Sequence, residues 1–505
     1  MIFPLFVILL IGIIYRAWFT LVPLSSGDWP FLFVENIREF SWLPEIRFLW
    51  LAPYYQIVTK IVVQYLRVPW EITEKLFWFL PFIVLSFVSS YKLTKSALGS
   101  LIYTTNTYIL MIVGGGQMGV ALAYALAPLV LKKYTVHSTQ YTALIANGLL
   151  LATQVMFDPR IALLTILAVL LYQIVVGKSS IKNLFLSLGV PILFTTILHL
   201  YWLIPLITNP SVVGRQIGEA TSAAVEYLSF ASFSQTLSLL HPNWPENIFG
   251  KIYFMRPEFL VLPLIAFGSL LFLKNSKQNR TTLFFVFLAL LGAFLAKGAS
   301  EPFGEVYIWL FNHVPGFALF RDPTKFYLYV ALAFSMLIPF SLERVNKVKM
   351  VSLLFVIFWA FTIREALLGQ LTGTFKPMTV PQEYIRLKDF LYRQPEQFQT
   401  LWVPERQRFG FRSLLHPALD ARLVSKQSSI SGILAWITRE DTKKELDALQ
   451  VRYVVVPSDV RGELFLTDRT YDEVLYNEAI QALDSLSWLK RISAFAPVIL
   501  YENTR

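Results

Sequence analysis

An aspartate just beyond the first apolar segment has the type and the position to do acid–base chemistry. Asp28 lies in the polar run 25–30, a few residues after the apolar stretch that opens the chain. Its ionised carboxylate can accept a proton from a hydroxyl group or ligate a divalent cation. The Asp-x-Pro context also fits an aspartate that caps a short helix. Asp28 is therefore the candidate general base, Trp29 and Glu35 are candidate substrate-binding neighbours, and metal binding stays open.

Two basic residues at the end of a later polar segment could bind a phosphate group. Arg321 and Lys325 stand directly before an apolar segment. A guanidinium can hold a phosphate with two hydrogen bonds, and an ammonium adds a point charge. A surface ion pair of Arg321 with Asp322, or snorkelling of the basic side chains to lipid headgroups, would explain the same residues. His313, a few residues earlier, is a further candidate substrate-binding residue.

The polar stretch 207–257 contributes three more candidate substrate-binding residues, Arg215, His241 and Arg256. His241 opens a run that contains two prolines and a tryptophan, which could stack on a sugar ring or fold the loop back on itself. The short run 157–160, in contrast, predicts a turn with a local ion pair.

The composition predicts that these residues belong to a membrane protein. Of the 505 residues, 55% are hydrophobic and 15% are charged, whereas soluble proteins carry about 25% charged residues. The absence of cysteine excludes disulfides, thiolate metal sites and cysteine nucleophiles. The net charge of +11 does not predict nucleic-acid binding, because the basic residues cluster in short loops between apolar segments.

Apolar segments of about 20 residues cross the hydrocarbon core, and fewer suffice when their ends are interfacial. This criterion predicts about eleven transmembrane helices, the first of them a retained helix rather than a removed signal peptide. They lie near residues 2–22, 75–91, 98–113, 119–131, 141–157, 161–177, 184–206, 258–273, 281–296, 326–342 and 350–368.

Lysine and arginine residues predict how these helices are oriented. They fall in alternate connections, which places those connections and the N-terminus on the cytoplasmic side of the cell membrane. The connections on the outer side are then 23–74, the 114–117 turn, 156–160, 207–257 and 297–325. The first of them is rich in Trp and Tyr, and its apolar part 51–66 predicts an interfacial helix. Those aromatic residues fit an ordinary aromatic belt or a platform that guides a lipid-linked substrate.

A change of composition near residue 371 predicts two domains, a transmembrane domain over 1–370 and an extracytoplasmic soluble α/β domain over 371–505. Apolar runs at 400–403 and 453–456 end at prolines, as buried strands often do, and 498–501 is a third candidate strand. Residues 442–449 and 473–486 have the spacing of helices.

Three features of the sequence together resemble the GT-C superfamily of membrane glycosyltransferases, and within it the arabinofuranosyltransferase-like and related bacterial proteins. They are the Gly27-Asp28 pair in a long first outer loop, the Pro-Gly-Phe and Phe-Arg-Asp-Pro-Thr-Lys-Phe runs within 315–326, and the trailing domain with its run 449–457. The resemblance implies a GT-C-like helical fold and a polyprenyl-phosphate sugar donor used outside the membrane. It implies Asp28 as the residue that activates the acceptor hydroxyl, and Arg321 as the phosphate binder with Lys325 as helper.

The predicted function is therefore the transfer of a hexosyl or pentosyl group from that donor to a cell-envelope glycan, a glycolipid or a protein. The sequence carries no P-loop, H-E-x-x-H or G-x-S-x-G motif. A lipid or glycan transporter is a second hypothesis, although helix-centre charges and an internal repeat are missing. A non-catalytic envelope-assembly protein of the same fold is a third. A divalent cation is compatible with Asp28, but relatives often pair acidic residues closely in this loop, whereas the next one here is Glu35.

Overall fold

The structure is a computed structural model in which two compact units can be described, each built from two stretches of the chain. The first unit comprises Met1–Leu21 and Ser41–Lys376, and the second comprises Val22–Phe40 and Pro377–Arg505. The residues that the structure describes are 2–25, 29, 33, 35, 49–134, 140–177, 185–208, 221–242, 255–273, 276–345, 348–369, 376–377, 379–407, 409–427, 429–458 and 473–504.

Four helices of the first unit are long and apolar enough to cross a bilayer: Trp70–Thr94, Pro159–Gly177, Asn279–Ala296 and Pro323–Leu342. The number rises to 6 if each of two bent helix pairs is one span. These pairs are Ala97–Thr105 with Thr107–Gly114, bent by 43°, and Phe185–Leu198 with Leu200–Thr208, bent by 74°. The chain is therefore a helical membrane protein.

The remaining helices of the described part of this unit are shorter. They are Ile2–Tyr15, Arg16–Trp18, Leu49–Leu51, Ala52–Ile57, Val58–Tyr65, Met118–Tyr134, Tyr141–Phe157, Ser222–Leu228, Phe233–Leu237, Pro257–Leu260, Val261–Gly268, Ser269–Phe272, Gly304–His313, Phe317–Phe320, Val348–Thr362 and Arg364–Leu367. Each of the predicted transmembrane segments overlaps a helix, so the helices are confirmed. The count of about eleven crossings stays a prediction, because several of these helices are shorter than a bilayer crossing needs.

The helix Pro323–Leu342 is the most deeply buried of the four candidate spans, with 89% of its apolar window inside the protein. Two glycines let neighbouring helices approach it closely. A Cβ on Gly99 would lie 2.4 Å from the Ser335 carbonyl oxygen, and one on Gly292 would lie 2.6 Å from the Tyr329 Cβ. Such close backbone contact favours tight packing between membrane helices. Neighbouring helices therefore pack closely against this central helix at Tyr329 and Ser335.

The second unit contains a five-stranded sheet. Its strands are β3 (Gln399–Trp402), β4 (Ala418–Asp420), β5 (Val451–Val456), β6 (Leu489–Ile492) and β7 (Ile499–Asn503), and two short strands elsewhere are β1 (Leu24–Ser25) and β2 (Lys376–Pro377). The order in the sheet is β4-β3-β5-β7-β6. Strands β4, β3 and β5 are parallel, whereas β7 is antiparallel to both β5 and β6. The three predicted strands are confirmed.

Helices cover both faces of this sheet because side chains alternate along its strands. On one face Val454 and Val456 pack with Ile433, and on the other Tyr453 and Val455 pack with Tyr384. The helices are Gln382–Tyr392, Ala421–Ser425, Ile430–Ile437, Thr442–Ala448 and Glu473–Asp484, with a 3-10 turn at Ser493–Phe495. The two helices predicted from the sequence are among them.

Candidate functional site

Two helices of the first unit begin with an Asp-Pro pair, and each aspartate caps its own helix. The Asp158 carboxylate accepts hydrogen bonds from the backbone N–H groups of Arg160, at 2.8 Å, and Ile161, at 3.1 Å. The Asp322 carboxylate accepts one from the Thr324 N–H at 3.0 Å. An aspartate at the N-cap satisfies N–H groups that the first helical turn leaves without partners, and the following proline needs none.

Each capping aspartate also binds a cation from its own helix. The Arg160 guanidinium donates to both carboxylate oxygens of Asp158, with its Nη2 at 2.6 Å. The ion pair predicted for the run 157–160 is therefore confirmed. Lys325 Nζ lies 2.6 Å from Asp322 Oδ2 and 3.3 Å from Gln117 Oε1, and its side chain is only 2% exposed. The two pairs are close enough for Arg160 to interact electrostatically with Asp322, and together they form a partly buried centre of two cations and two carboxylates.

The charges around Asp322 keep its carboxyl group ionised. Burial by itself raises the pKa of Asp322, but the Lys325 ammonium, the hydrogen bonds from Lys325 and Thr324, and the Arg160 guanidinium together lower it to about 2. The Asp322 side chain keeps 23% of its surface exposed. A ligand that reaches this surface meets a permanently charged hydrogen-bond acceptor.

His241 lies beside this centre and stacks among tyrosine rings. Its ring centroid is 5.7 Å from that of Tyr327 and 6.4 Å from that of Tyr108, and its backbone N–H donates to Thr107 Oγ1 at 2.8 Å. Burial, opposed by Asp322 and assisted by Lys325, lowers the pKa of His241 to about 4. The imidazole is therefore neutral at physiological pH.

Tyr108 contributes a buried hydroxyl group that has no hydrogen-bond partner among the described residues. Its side chain is fully buried and stacks on Tyr327, with centroids 5.5 Å apart and ring planes 8° apart. The hydroxyl lies within electrostatic range of Asp322, Asp158 and Arg160. An unsatisfied hydroxyl is costly to bury, so this position calls for an explanation.

We call these residues the polar cluster: Tyr108, Gln117, Asp158, Arg160, His241, Asp322 and Lys325. They come from the 114–117 turn with its preceding helix, the connection 156–160, the stretch 207–257 and the segment 297–325. All four connections are assigned to the same side of the membrane by the alternation of basic loops, and in the structure their residues meet. Which side that is stays a prediction.

The predicted site residues that the structure describes are only partly brought together. His241 and Lys325 join the polar cluster, and Arg321 is half-buried directly before Asp322. His313 is exposed, stacks on Trp309 at 5.2 Å and places its Nδ1 2.9 Å from the Trp309 carbonyl oxygen.

Arg256 belongs to a separate ion-pair network of the first unit. Its Nη1 lies 2.8 Å from the Glu365 carboxylate, while Arg364 reaches both Glu258, at 3.1 Å, and Glu365, at 3.7 Å. These ion pairs connect the start of the helical segment 257–272 to the helix Arg364–Leu367. The ion pair of Arg256 therefore links two helices of the first unit.

Two further candidates lie in the second unit, and two lie outside the described residues. Trp29 is buried, and Glu35 accepts a hydrogen bond from Lys388 Nζ at 3.0 Å. The carboxylates of Glu35 and Asp389 outweigh the effect of burial and raise the pKa of Lys388. Asp28 and Arg215 are not among the described residues, so their predicted roles stay predictions. Within the described residues no group of three or more His, Asp or Glu side chains could hold a metal ion.

Sequence reasoning did not single out Tyr108, Gln117 or Asp322 as site residues. The sequence does contain a signal for part of this set. The runs Asp158-Pro159-Arg160 and Asp322-Pro323-Thr324-Lys325 both combine a capping Asp-Pro pair with a nearby cation. Tyr108 has no comparable sequence signal, because only the packing of the described helices separates its hydroxyl group from their hydrogen-bonding groups.

The fold is similar to that of a known glycosyltransferase. The structure of arabinofuranosyltransferase AftD from Mycobacteria matches with a TM-score of 0.60 and 14% sequence identity, over 99% of this chain and 41% of that chain. The chain thus spans about two fifths of the length of that protein. At this identity the similarity shows the fold alone: the chain has a fold similar to that of an arabinofuranosyltransferase, as the resemblance in sequence implies.

A second structure is less similar. The oligosaccharyltransferase of Archaeoglobus fulgidus in its apo form matches with a TM-score of 0.38 and 11% identity, over 90% of this chain and 69% of that chain. This score is too low to support a conclusion. The sequence matches no protein-family model and no curated protein with which it was compared.

Proposed function

We propose that this protein is a membrane glycosyltransferase that moves a sugar from a polyprenyl-phosphate donor to an acceptor on the outer face of the membrane. The acceptor is a cell-envelope glycan, a glycolipid or a protein, and the transferred group is a hexosyl or pentosyl unit. The proposal is supported by the similarity in fold, over nearly the whole chain, to a protein that is named an arabinofuranosyltransferase.

The observation that carries the proposal is the polar cluster at the start of the central helix. Polar groups from four separate connections gather there beside Arg321, at the end of a helix that is otherwise apolar. Ionisable groups that are buried among membrane helices are costly and usually functional, and the side chains of Asp158 and Lys325 are only 2% exposed. A carrier lipid can keep its tail among the helices while its headgroup reaches this position.

In the proposed reaction Asp28 accepts the proton of the acceptor hydroxyl, whose oxygen attacks the anomeric carbon of the donor. The bond from that carbon to the phosphate oxygen breaks, and the polyprenyl phosphate leaves with the bonding electron pair. An aspartate near its ordinary pKa is ionised at neutral pH and needs no retuning for this role. Arg321 would stabilise the negative charge that develops on the leaving phosphate.

Transfer in isolated membranes tests these roles. Membranes that contain the protein are supplied with polyprenyl-phosphate-linked sugars, arabinofuranose and mannose among them, and incorporation is measured. Asp28→Asn should reduce transfer by at least about a hundredfold, as expected for loss of a general base. Arg321→Ala should raise the KM for the donor by about tenfold or more, the contribution of a charged hydrogen bond.

Two control variants test whether the loss of transfer is specific to Asp28 and Arg321. Glu226→Gln changes an exposed acidic residue on the same predicted side, and Arg344→Ala changes an exposed arginine on the opposite predicted side, so both should transfer normally. Full transfer by Asp28→Asn would remove Asp28 as the base. If the unchanged protein transferred none of the supplied sugars, the third hypothesis, a non-catalytic assembly protein, would be favoured.

A further inference from the structure

Arg16 directly follows the helix Ile2–Tyr15 and joins its end to the end of a second helix. Its Nη1 donates to the Ile13 carbonyl oxygen at 2.7 Å and to the Leu367 carbonyl oxygen at 2.8 Å, in the helix Arg364–Leu367. Carbonyl groups in the last turn of a helix lack partners within that helix, and arginine side chains commonly bind them. Arg16 is exposed, and among the described residues no carboxylate pairs with it.

Two further arginines lie at the same helix ends, each paired with a glutamate. Arg256 pairs with Glu365, and Arg364 pairs with Glu258. We call these four residues and Arg16 the arginine group, which combines three positive charges with two negative ones. The Arg364 side chain is 38% exposed, whereas those of Arg256, Glu258 and Glu365 are 13 to 15% exposed. The group therefore has one positive charge in excess and presents two accessible guanidinium groups.

Apolar side chains that are open to the surroundings flank the arginine group on all three of its helical segments. Ile13 in the first helix is 48% exposed, Leu264 in the segment 257–272 is 73% exposed, and Phe361 in the helix Val348–Thr362 is 56% exposed. The Arg364 guanidinium lies over the Phe361 ring, 4.6 Å from its centroid. Large apolar side chains that a membrane helix leaves exposed face lipid. The arginine group thus lies at the border of a lipid-facing surface of the first unit.

The predicted orientation places these helix ends on the outer side of the membrane. Lysine and arginine are less frequent there than on the cytoplasmic side, so three arginines at one place need a reason. Ion pairs with glutamate account for only two of the three. Arginine side chains at helix ends reach the level of the lipid headgroups, and a guanidinium can bind a phosphate with two hydrogen bonds.

We propose that the arginine group binds the phosphate of an anionic membrane phospholipid, whose acyl chains lie along the exposed apolar side chains of the same helices. The single negative charge of such a headgroup matches the one positive charge that the group has in excess. The headgroup of a zwitterionic phospholipid also carries a positive charge and leaves that excess uncompensated. This assignment does not depend on the proposed function, because no sugar and no transfer step takes part in it.

Native mass spectrometry of the full-length protein in detergent tests the assignment. The probes are phosphatidylglycerol and phosphatidylcholine with the same acyl chains. The unchanged protein should bind phosphatidylglycerol more tightly than phosphatidylcholine. Arg16→Gln should weaken phosphatidylglycerol binding by about tenfold, the contribution of a charged hydrogen bond, and leave phosphatidylcholine binding unchanged. Arg16→Lys retains the charge and should retain the preference for phosphatidylglycerol.

A second variant should change the affinity in the opposite direction. Glu258→Gln removes the carboxylate that pairs with Arg364, so the excess positive charge increases and phosphatidylglycerol should bind more tightly. General damage to the protein does not produce such a gain. Arg344→Gln is the control, because Arg344 is an exposed arginine on the opposite predicted side, 5.0 Å from the centroid of the Phe340 ring. It should bind both lipids like the unchanged protein.

Thermal unfolding separates a lipid from a free anion as the ligand. Phosphatidylglycerol should raise the unfolding midpoint of the unchanged protein, and inorganic phosphate at the same concentration should not. An equal rise with inorganic phosphate would assign the group to small anions and overturn the lipid site. Equal affinity of the unchanged protein for the two lipids would also overturn it. If Arg16→Gln does not fold, Glu258→Gln decides, and phosphatidylglycerol affinity that does not increase in this variant counts against the proposal.

Discussion

Lys325 Nζ donates to the Asp322 carboxylate at 2.6 Å, in the first turn of the helix that is the most buried of the candidate spans. The sequence predicts Lys325 as a helper in phosphate binding, and the structure shows where its charge is already engaged. The Asp322 carboxylate neutralises Lys325 at close range. Arg321 lies directly before this pair and is half-buried.

Replacing Lys325 by methionine should destabilise the protein. The variant keeps the length of the side chain but leaves Asp322 without its nearest cation, and breaking a buried ion pair costs about 3–5 kcal/mol. The pKa of Asp322 is about 2 against an ordinary value of 3.8, so its stabilising effect is complete above about pH 4 and is lost as the pH falls through about 2. In the variant that pKa rises toward or above the ordinary value, so this pH-dependent stabilisation by Asp322 shrinks or disappears.

Thermal unfolding in nanodiscs between pH 3 and 7 measures this effect, with Lys133→Met at an exposed position as the control. An unchanged unfolding midpoint at every pH would contradict a structural role for the pair.

His241 should make the stability of the first unit depend on pH in a different range. Burial holds its pKa at about 4, below its ordinary value of 6.5, so the unfolded chain takes up a proton at a higher pH than the folded one. Stability should therefore fall as the pH drops from about 6.5 to about 4, by about 3 kcal/mol in total. The Asp322 carboxylate, which faces the ring, keeps its charge throughout this range.

The variant His241→Gln should remove this slope, whereas His313→Gln, at an exposed position, should retain it. The measurement is the free energy of unfolding as a function of pH. If the pH dependence persists in His241→Gln, a group other than His241 causes it.

The absence of cysteine makes the predicted orientation directly testable. Single cysteines are introduced at exposed positions and labelled in intact cells with a maleimide that does not cross the membrane. Glu305→Cys in the segment 297–325 and Lys444→Cys in the second unit should be labelled from outside. Lys133→Cys and Glu343→Cys should be labelled only after the cells are opened. If Lys133→Cys and Glu343→Cys were labelled in intact cells, the predicted orientation would be wrong.

Phe33 should be important for the stability of the second unit. Its ring is 7% exposed and contacts Phe411 edge to face, with centroids 5.5 Å apart, within a core that includes Tyr384 and Trp402. Phe33→Ala should reduce the free energy of unfolding of this unit by about 3–5 kcal/mol. Protease resistance of the second unit in the full-length protein measures the effect. Leu423→Ala, at a position that is 73% exposed, should behave like the unchanged protein.

The sequence by itself determined the local elements of this protein. Apolar segments and short apolar runs predict the helices of the first unit and the strands β3, β5 and β7, because burial in lipid or in a sheet core selects apolar residues within one continuous segment. The ion pair of Asp158 with Arg160 was predictable for the same reason, since both partners lie within three residues. Asp-Pro pairs at two helix starts are likewise local signals.

Only the tertiary structure decided which of these local features meet. Residues 22–40 join the second unit although they follow the first helix, and Phe33 supplies a core contact there that no pattern in its own segment predicts. Tyr108 precedes His241 by 133 positions in the chain, and His241 precedes Asp322 by 81. Packing of the helices nevertheless brings the three residues into one cluster. Whether a buried hydroxyl keeps or loses its partners depends on every neighbour at once, and that information is spread over the whole chain.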